Sequence, residues 1–383
     1  SGELGGNILS ITAKELAKIL GISEAAVSLA LNNKPGVSKQ TRKRVLDACE
    51  QYGYDFSNRS LYLSNNQNGA ICLVLYKRTG AVVSDTPFFS SLIEGVGNVC
   101  RRNHYKLNIV YIYENNDLRE QLLSLNASGS VGIIFLATEL LASSVPDLAL
   151  IRPPFVLLDA FFDSQSYDSI LINNVQGAYH ATNFLISQCR CQPGYLHSSF
   201  PISNFEERAN GFYNSIRYNG MSASKSIVHK LTPSQEGAYS DMKAIIESGE
   251  ELATAYFADN DLIAVGAMRA LISAGYRIPE DISIVGFDDL PLCEYVTPPL
   301  TTIHVPKQYM GEKAAERLLE LINTKDHYPI KIEINTQLKE RSSVRLRGRH
   351  NGRGIVVPFD DDWGGKIAVL LTHIRENYFW KGS

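Results

Sequence analysis

The chain has 383 residues, 44% of them hydrophobic and 20% charged, which excludes wholesale disorder and gives enough length for at least two hydrophobic cores. Its formal net charge is -3, but residues 1–60 carry eight Lys and Arg against six Asp and Glu, whereas the remainder carries 29 against 34. The basic excess therefore lies at the front, where a nucleic-acid-binding module would need it.

Two short helices are predicted near the start of the chain. Thr12 and Glu15 have the spacing of a capping box, which begins a helix, and Gly21 ends that helix. Ser23 caps a second helix that runs to Leu31, after a turn of only a few residues. Two helices joined in this way form a helix-turn-helix, whose second helix fits the major groove of DNA. A helical hairpin that never binds DNA has the same spacing, so the spacing alone leaves both interpretations open.

A third helix completes this segment. Ser38 caps a helix predicted over residues 39–52, and Val45, Cys49 and Tyr52 are expected to close a three-helix core. The front of the second helix would then meet base edges, and the residues that follow it would hold phosphates. The DNA-binding residues expected in this segment are Thr12, Ser23, Glu24, Ala25, Ser28, Leu29, Asn32, Asn33 and Lys34.

The same segment resembles the N-terminal signature of the LacI/GalR transcription repressors. The matching residues, in order and spacing, are 11–17, 21–23, 26–28, 31–38 and 41–46. The resemblance implies an all-α, three-helix DNA-binding domain over residues 8–56 and a homodimer on a palindromic double-stranded DNA operator. Leu29 departs from the family, which often has Arg or another polar residue there. We therefore expect Leu29 to read thymine methyl groups or DNA shape.

Residues 57–69 are expected to form a hinge or linker. Residues 58–61 resemble the family's hinge helix, which orders on DNA and inserts a leucine into the minor groove. The resemblance makes Leu61 the expected DNA-binding wedge, with Leu63 as the substitute. A disordered polar linker over residues 64–69 is the alternative.

From Ala70 onward, apolar strand-like runs alternate with helical stretches, which is the pattern of a doubly wound α/β fold. There are too many strands for one small sheet. We therefore expect two parallel sheets side by side, with a ligand in the cleft at the carboxyl ends of their strands. The predicted strands are residues 71–76, 106–112, 131–136, 155–158, 194–197, 226–230, 254–258 and 282–287.

This body, residues 70–347, resembles the two-lobed sensor domain of the same repressors and of periplasmic sugar-binding proteins. The landmarks lie at residues 87–89, 95–96, 131–134, 174–179, 207–212, 260–267 and 278–289. The resemblance implies a first lobe of about residues 70–172 and 302–326, and a second of about 173–301 and 327–347. It also implies a small-molecule effector, most simply a sugar, in the cleft between them. Asn173 stands where relatives usually have Asp.

Six residues at matching positions are the expected effector-binding residues. An aromatic ring stacks on the face of a sugar or base, while Asp, Asn and Arg side chains pair with hydroxyl groups. Each of them singly could instead be a helix cap or part of a surface salt bridge. The six are Phe88, Phe89, Asp159, Arg208, Asn260 and Asp288.

Residues 348–383 match no part of the family pattern. A basic run and then an acidic run precede a possible amphipathic helix over residues 367–379. An added surface helix or tail is one interpretation. An oligomerisation helix with Leu370, Leu371, Ile374 and Tyr378 on its apolar face is the other.

Other classes of protein fit the sequence less well. It contains no Gly-x-Ser-x-Gly elbow, phosphate-binding loop or His-Glu-x-x-His motif, so we predict no catalytic residue, no metal site and no cofactor. The six cysteines have no metal-site spacing and are expected to be free thiols. Because the sequence shows no secretory signal or membrane span, we expect a cytoplasmic protein, associated with the nucleoid through its operator. A cytosolic sugar-binding protein without sequence-specific DNA binding is the alternative.

Overall fold

The computed structural model describes residues 13–31, 36–52, 68–83, 87–324 and 328–346. Residues 57–67 of the proposed linker and the extension beyond residue 347 lie outside these ranges, and so do five of the expected DNA-binding residues. Those five are Thr12, Asn32, Asn33, Lys34 and Leu61.

The first described segment contains three helices, α1 (Ala13–Leu20), α2 (Glu24–Leu31) and α3 (Lys39–Gln51). Two of the three predicted N-caps, Ser23 and Ser38, are present, and the third, Thr12, lies outside the described residues. The Ser23 hydroxyl oxygen accepts from the Ala26 amide over 3.1 Å, and the Ser38 hydroxyl oxygen accepts from the Thr41 amide over 3.0 Å. The buried core residues are Leu16, Ala17, Val27, Ala30, Val45 and Ala48.

One predicted core residue of this segment is wrong. Tyr52 is 44% exposed, because α3 ends at Gln51 and Tyr52 is only its C-cap. Ala48, one turn earlier in the helix, packs in the core instead. Val45 is buried as expected, and the side chain of Cys49 lies outside the described part of the chain.

The body folds as two six-stranded sheets, which confirms the predicted architecture. The first sheet has the strand order β11-β5-β4-β3-β1-β2, and the second has the order β12-β10-β9-β8-β6-β7. Adjacent strands are parallel except that β12 runs antiparallel to β10. The strands are β1 (Ala70–Lys77), β2 (Lys106–Tyr113), β3 (Gly132–Leu136), β4 (Phe155–Leu158), β5 (Ser169–Ile172), β6 (Gly194–Ser198), β7 (Val228–Leu231), β8 (Ala255–Ala258), β9 (Ser283–Asp288), β10 (Thr301–His304), β11 (Lys331–Ile334) and β12 (Gln337–Lys339).

Helices lie on most of the connections between strands, although β4 leads to its parallel neighbour β5 without one. They are α4 (Pro87–Arg102), α5 (Leu118–Asn126), α6 (Asn174–Cys189), α7 (Ser203–Tyr218), α8 (Gln235–Ser248), α9 (Asp261–Ser273), α10 (Leu292–Tyr295) and α11 (Lys307–Asn323). Helices α4 and α11 pack so closely that a Cβ at Gly95 would collide with the backbone oxygen of Gln308, and one at Gly311 with that of Leu92. Helix α11 therefore belongs to the lobe of the first sheet.

The predicted division into lobes is wrong at its C-terminal end. Strand β10 lies wholly in the second sheet, although residues from 302 onward were expected in the first lobe. Strand β11 pairs with β5 in the first sheet, from Lys331 beside Ser169 to Ile334 beside Ile172, although it was expected in the second lobe. Alternating hydrophobicity predicts a strand here, but it does not determine which sheet edge the strand joins.

Three further observations bear on protein class. Within the described ranges, no helix is long and apolar enough to cross a membrane. No cluster of His, Cys, Asp and Glu in those ranges could hold a metal ion. The cysteines whose side chains are described are free thiols: Cys72, Cys100, Cys189, Cys191 and Cys293.

Candidate functional site

All six residues expected to bind an effector line one cleft between the two sheets. Three of them stand at strand ends: Asp159 follows β4, Asn260 follows β8 and Asp288 ends β9. The carboxyl ends of parallel strands are where α/β folds place their ligands. The sequence did not indicate the other lining residues, which are Val82, Thr138, Ile202, Asn204, Phe205, Pro233, Leu262 and Leu290.

The two aspartates at strand ends have a backbone conformation that L residues rarely adopt. Asp159 has a φ of 62° and Asp288 has a φ of 110°. Such conformations cost free energy and persist mainly where a binding site needs a side chain aimed in a particular direction. They occur at the ends of two strands, one from each sheet, and both residues line the cleft.

Arg208, on α7, is the centre of the polar network. Its side chain is only 4% exposed. Its Nε donates to Oδ1 of Asn174 over 2.9 Å, one terminal nitrogen donates to the backbone oxygen of Asp259, and the other donates to Oδ1 of Asp288 over 3.2 Å. The guanidinium lies 3.7 Å from the centre of the Phe287 ring. A guanidinium fixed on so many sides is a rigid donor for a ligand.

Asp159 joins the two lobes. Its carboxylate accepts from the Thr138 hydroxyl over 2.7 Å and from the Asn204 amide over 3.0 Å. Thr138 follows β3 of the first sheet, whereas Asn204 lies on α7 beside the second. Burial raises the pKa of Asp159 to about 6, although the Thr138 hydrogen bond and the Arg208 charge oppose that shift. Burial also raises the pKa of Asp288.

Asn260 is both a helix cap and a cleft residue, so the two interpretations of this position are compatible. Its Oδ1 accepts from the Ile263 amide over 2.9 Å at the start of α9. The amide nitrogen is then the part of the side chain that a ligand can use. Asn173 likewise caps α6, because its Oδ1 accepts from the Gln176 amide over 3.1 Å, and it does not line the cleft.

The aromatic part of the cleft comes from the start of α4. The rings of Phe88 and Phe89 meet edge to face, with centroids 5.0 Å apart. Both side chains are buried, and both line the cleft. They supply an apolar wall opposite the polar residues of the second lobe, which is the mixed lining that small-molecule sites usually have.

The described part of the expected DNA-binding surface lies mostly on the outside of the three-helix segment. Ser23, Glu24, Ala25 and Ser28 are exposed. Leu29 is half-buried, and its Cδ1 lies so close to Gly36 that a Cβ there would be 3.1 Å away. Leu29 therefore packs partly against the turn before α3 and presents only part of its side chain outward.

Comparisons with known proteins agree with this arrangement. Residues 12–56 match the family model described as bacterial regulatory proteins, lacI family, and residues 194–344 match the periplasmic binding protein-like domain. The HTH-type transcriptional repressor PurR of Vibrio atlanticus (strain LGP32) is 33% identical over 342 residues, which are 87% of this chain and 98% of the relative. PurR of Pasteurella multocida (strain Pm70) is 30% identical over 338 residues, which are 88% of this chain and 99% of the relative.

The chain belongs to the LacI family of bacterial regulatory proteins. The family's members are DNA-binding transcriptional regulators rather than enzymes, and they act as dimers. This chain is accordingly a helix-turn-helix repressor with a periplasmic-binding-protein-like domain that senses an effector. These findings confirm the resemblance on which the fold and the function were predicted.

Solved LacI-type structures share the fold. A regulator from Enterococcus faecium with bound ribose is 26% identical, covers 73% of this chain and is itself covered completely, with a TM-score of 0.62. The lac repressor dimer bound to operator and the anti-inducer ONPF is 21% identical, with 87% of this chain and 99% of that chain covered and a TM-score of 0.68. At 21% identity, the second comparison shows the fold alone.

The residues that the sequence failed to indicate had a weak signal. Thr138 follows β3 closely, so the rule that selected Asp159 at a strand end also applies to it. Asn204 lies four residues before Arg208 on α7, one helical turn away and on the same face. In each case the position can be inferred from the spacing, but the sequence does not distinguish a residue that lines the cleft from one that only caps a helix.

Proposed function

We propose that this LacI-family chain represses transcription as a homodimer on a palindromic operator, and that a sugar bound between the lobes controls its operator affinity. The observation that carries the choice of ligand is the cleft that all six expected residues line. The repressor acts on chromosomal DNA in the cytoplasm, because its DNA-binding module must reach that DNA.

The chemistry of the cleft suits a ligand with many hydroxyl groups. The carboxylates of Asp159 and Asp288 accept hydrogen bonds, the Arg208 guanidinium donates them, and the Phe88 and Phe89 rings cover an apolar face. A sugar presents hydroxyl groups around its edge and C–H groups on its faces, so both kinds of lining residue have partners. The ribose-bound regulator from Enterococcus faecium supports this ligand class.

Control of DNA binding follows from the position of the cleft. A ligand that contacts both lobes stabilises the arrangement in which its partners meet, and so shifts the population of lobe angles. The linker over residues 57–69 carries that change to the two DNA-binding modules of the dimer, whose spacing must match the half-sites. Effector and operator affinities are then reciprocally coupled.

A fluorescence-anisotropy titration tests the proposal. A palindromic-site DNA library is titrated at fixed salt with the intact chain and with a chain that starts at Asn68. We expect sequence-selective, salt-sensitive binding by the intact chain, none by the truncated one, and a change in operator affinity when D-ribose or cellobiose is added. Equal, weak binding by the intact and the truncated chain would overturn the proposal of sequence-specific DNA binding. A change in operator affinity with nucleobases but with neither sugar would overturn the proposal of a sugar effector.

A matched pair of variants tests the site. Asp288→Asn removes a cleft carboxylate, whereas Asp147→Asn removes a carboxylate that is paired with Arg119 on the surface. We expect only Asp288→Asn to abolish the sugar response, because only Asp288 lines the cleft. Equal responses in both variants would show that the effector binds elsewhere.

A further inference from the structure

Glu139 lies close after β3 and is completely buried. Its two carboxylate oxygens accept hydrogen bonds from five backbone amides of one short segment that follows β1. Oε2 accepts from Arg78, Thr79 and Gly80 over 2.8, 3.0 and 3.0 Å, and Oε1 accepts from Val82 and Val83 over 2.8 Å each. A single carboxylate therefore fixes the path of residues 78–83.

The segment is held by an ionised group. Burial raises the pKa of Glu139, but the amides of Val83, Val82, Thr79 and Gly80 outweigh burial and leave the pKa below its usual value. Such a concave set of amides binds an anion much as a phosphate-binding loop does, except that here the anion is part of the chain. Replacement of the carboxylate by an amide would remove its charge and one of its two acceptor oxygens, and would turn an NH₂ donor toward some of these amides.

The anchored segment reaches both the cleft and the opposite lobe. Val82 lines the cleft. Arg78 donates from a terminal nitrogen to the backbone oxygen of Pro201 over 2.9 Å, and its guanidinium lies 4.1 Å from the centre of the Phe200 ring. Phe200 and Pro201 follow β6 of the second sheet, and the next residue, Ile202, lines the cleft.

We propose that Glu139 is a positioning residue of the effector cleft: it holds residues 78–83 so that Val82 walls the cleft and Arg78 joins the two lobes beside it. The inference rests on the proposed function, in which this cleft binds the effector. Glu139 itself does not line the cleft, so it acts through the segment that it holds.

The contact that Arg78 makes with the second lobe carries both a cost and a gain in free energy. Its Nε is buried and has no hydrogen-bond partner in the described part of the chain, which costs free energy that opening of the lobes would recover through hydration. The hydrogen bond to Pro201 and the ring contact oppose that cost. A ligand that bridges the lobes can therefore determine whether Arg78 contacts Pro201 or is hydrated.

Hydrogen exchange on the full-length chain without effector tests this directly. We expect Glu139→Gln to speed exchange at the amides of residues 79–83 and, across the cleft, in residues 200–205 by about tenfold. Arg78→Ala should speed exchange only in residues 200–205, because the amides remain bound to Glu139. Arg152→Ala, which removes an exposed arginine of the first lobe, should change neither segment. Unchanged exchange in residues 200–205 in both test variants would overturn the proposal.

Effector binding supplies the second readout. D-ribose and cellobiose are titrated calorimetrically into the same four proteins and into Arg78→Lys, and thermal melting is recorded for each. We expect Arg78→Ala to weaken sugar binding about tenfold while its melting temperature stays within about 2 °C of the parent. Arg78→Lys should recover part of the loss, because it can still donate to Pro201. If the parent binds neither sugar, the sugar proposal fails, and the exchange result alone decides the role of Glu139.

Discussion

Asn204 of the second lobe donates a hydrogen bond from Nδ2 to Oδ1 of Asp159 in the first lobe, over 3.0 Å, at the floor of the cleft. We predict that Asn204→Asp weakens effector binding at least about tenfold, because two buried carboxylates would then face each other when the lobes close. Calorimetry with the responding sugar measures the loss. Asn219→Asp is the control, since Asn219 makes a comparable amide contact to Asn183 on the surface. Equal losses in both variants would contradict a specific role for the cross-lobe bond.

Effector affinity should depend on pH through Asp159. Burial raises its pKa from 3.8 to about 6, so between these values the folded state holds a proton that the unfolded chain has released. Protein stability from this group therefore falls as pH rises from about 4 to 6 and is constant above that range. An ionised carboxylate accepts a hydrogen bond from a hydroxyl group more strongly than a carboxylic acid does, so sugar binding should tighten as pH rises through about 6.

The comparison of the parent with Asp159→Asn isolates this group from its neighbours. Burial also raises the pKa of Asp288 and raises that of Asp261 to about 7, so the parent's profile contains several titrations. The part of the profile that disappears in Asp159→Asn belongs to Asp159 and to its charge interaction with Asp288. An identical pH profile in parent and variant would contradict the assignment.

Removal of the buried guanidinium should be costly. Arg208→Met leaves the Asp288 carboxylate and the Asn174 side chain without their donor, so we predict a loss of about 3–5 kcal/mol in the free energy of unfolding. Urea denaturation of the chain that starts at Asn68 measures it. Arg217→Met, which removes an exposed arginine from the same helix, should cost less than about 0.5 kcal/mol. A small loss at Arg208 would show that the network rearranges.

Operator preference should depend on the outer side of α2. Leu29→Arg replaces an apolar contact with a donor, so we predict a changed base preference at one operator position, worth about 1–3 kcal/mol. Because Leu29 also packs against Gly36, melting of the variant must be recorded to separate recognition from stability. Asp47→Asn, an exposed change on α3, is the control. An unaltered preference at every position would place Leu29 outside the DNA interface.

The sequence predicted the cleft better than the connections around it. Asp159, Asn260 and Asp288 were found because apolar runs locate strand ends and strand ends locate ligands in parallel sheets. The placement of β11 depends on pairing with β5, about 160 residues earlier in the chain, which no local pattern reveals. Glu139 was missed for a related reason, because its partners are amides 56–61 residues away, and backbone groups leave no trace in a sequence.

The outer face of β2 should contribute to the dimer. Ile109, Tyr111 and Tyr113 alternate along this edge strand and are 44–45% exposed, whereas Ile112 points into the core. A row of apolar side chains on a sheet edge favours association, and members of this family act as dimers. We predict that Tyr111→Glu dissociates the dimer in sedimentation velocity and reduces operator affinity, because each module then binds one half-site alone. Tyr295→Glu, at a residue that is 84% exposed on the second lobe, should remain dimeric. A dimeric Tyr111→Glu would locate the interface elsewhere.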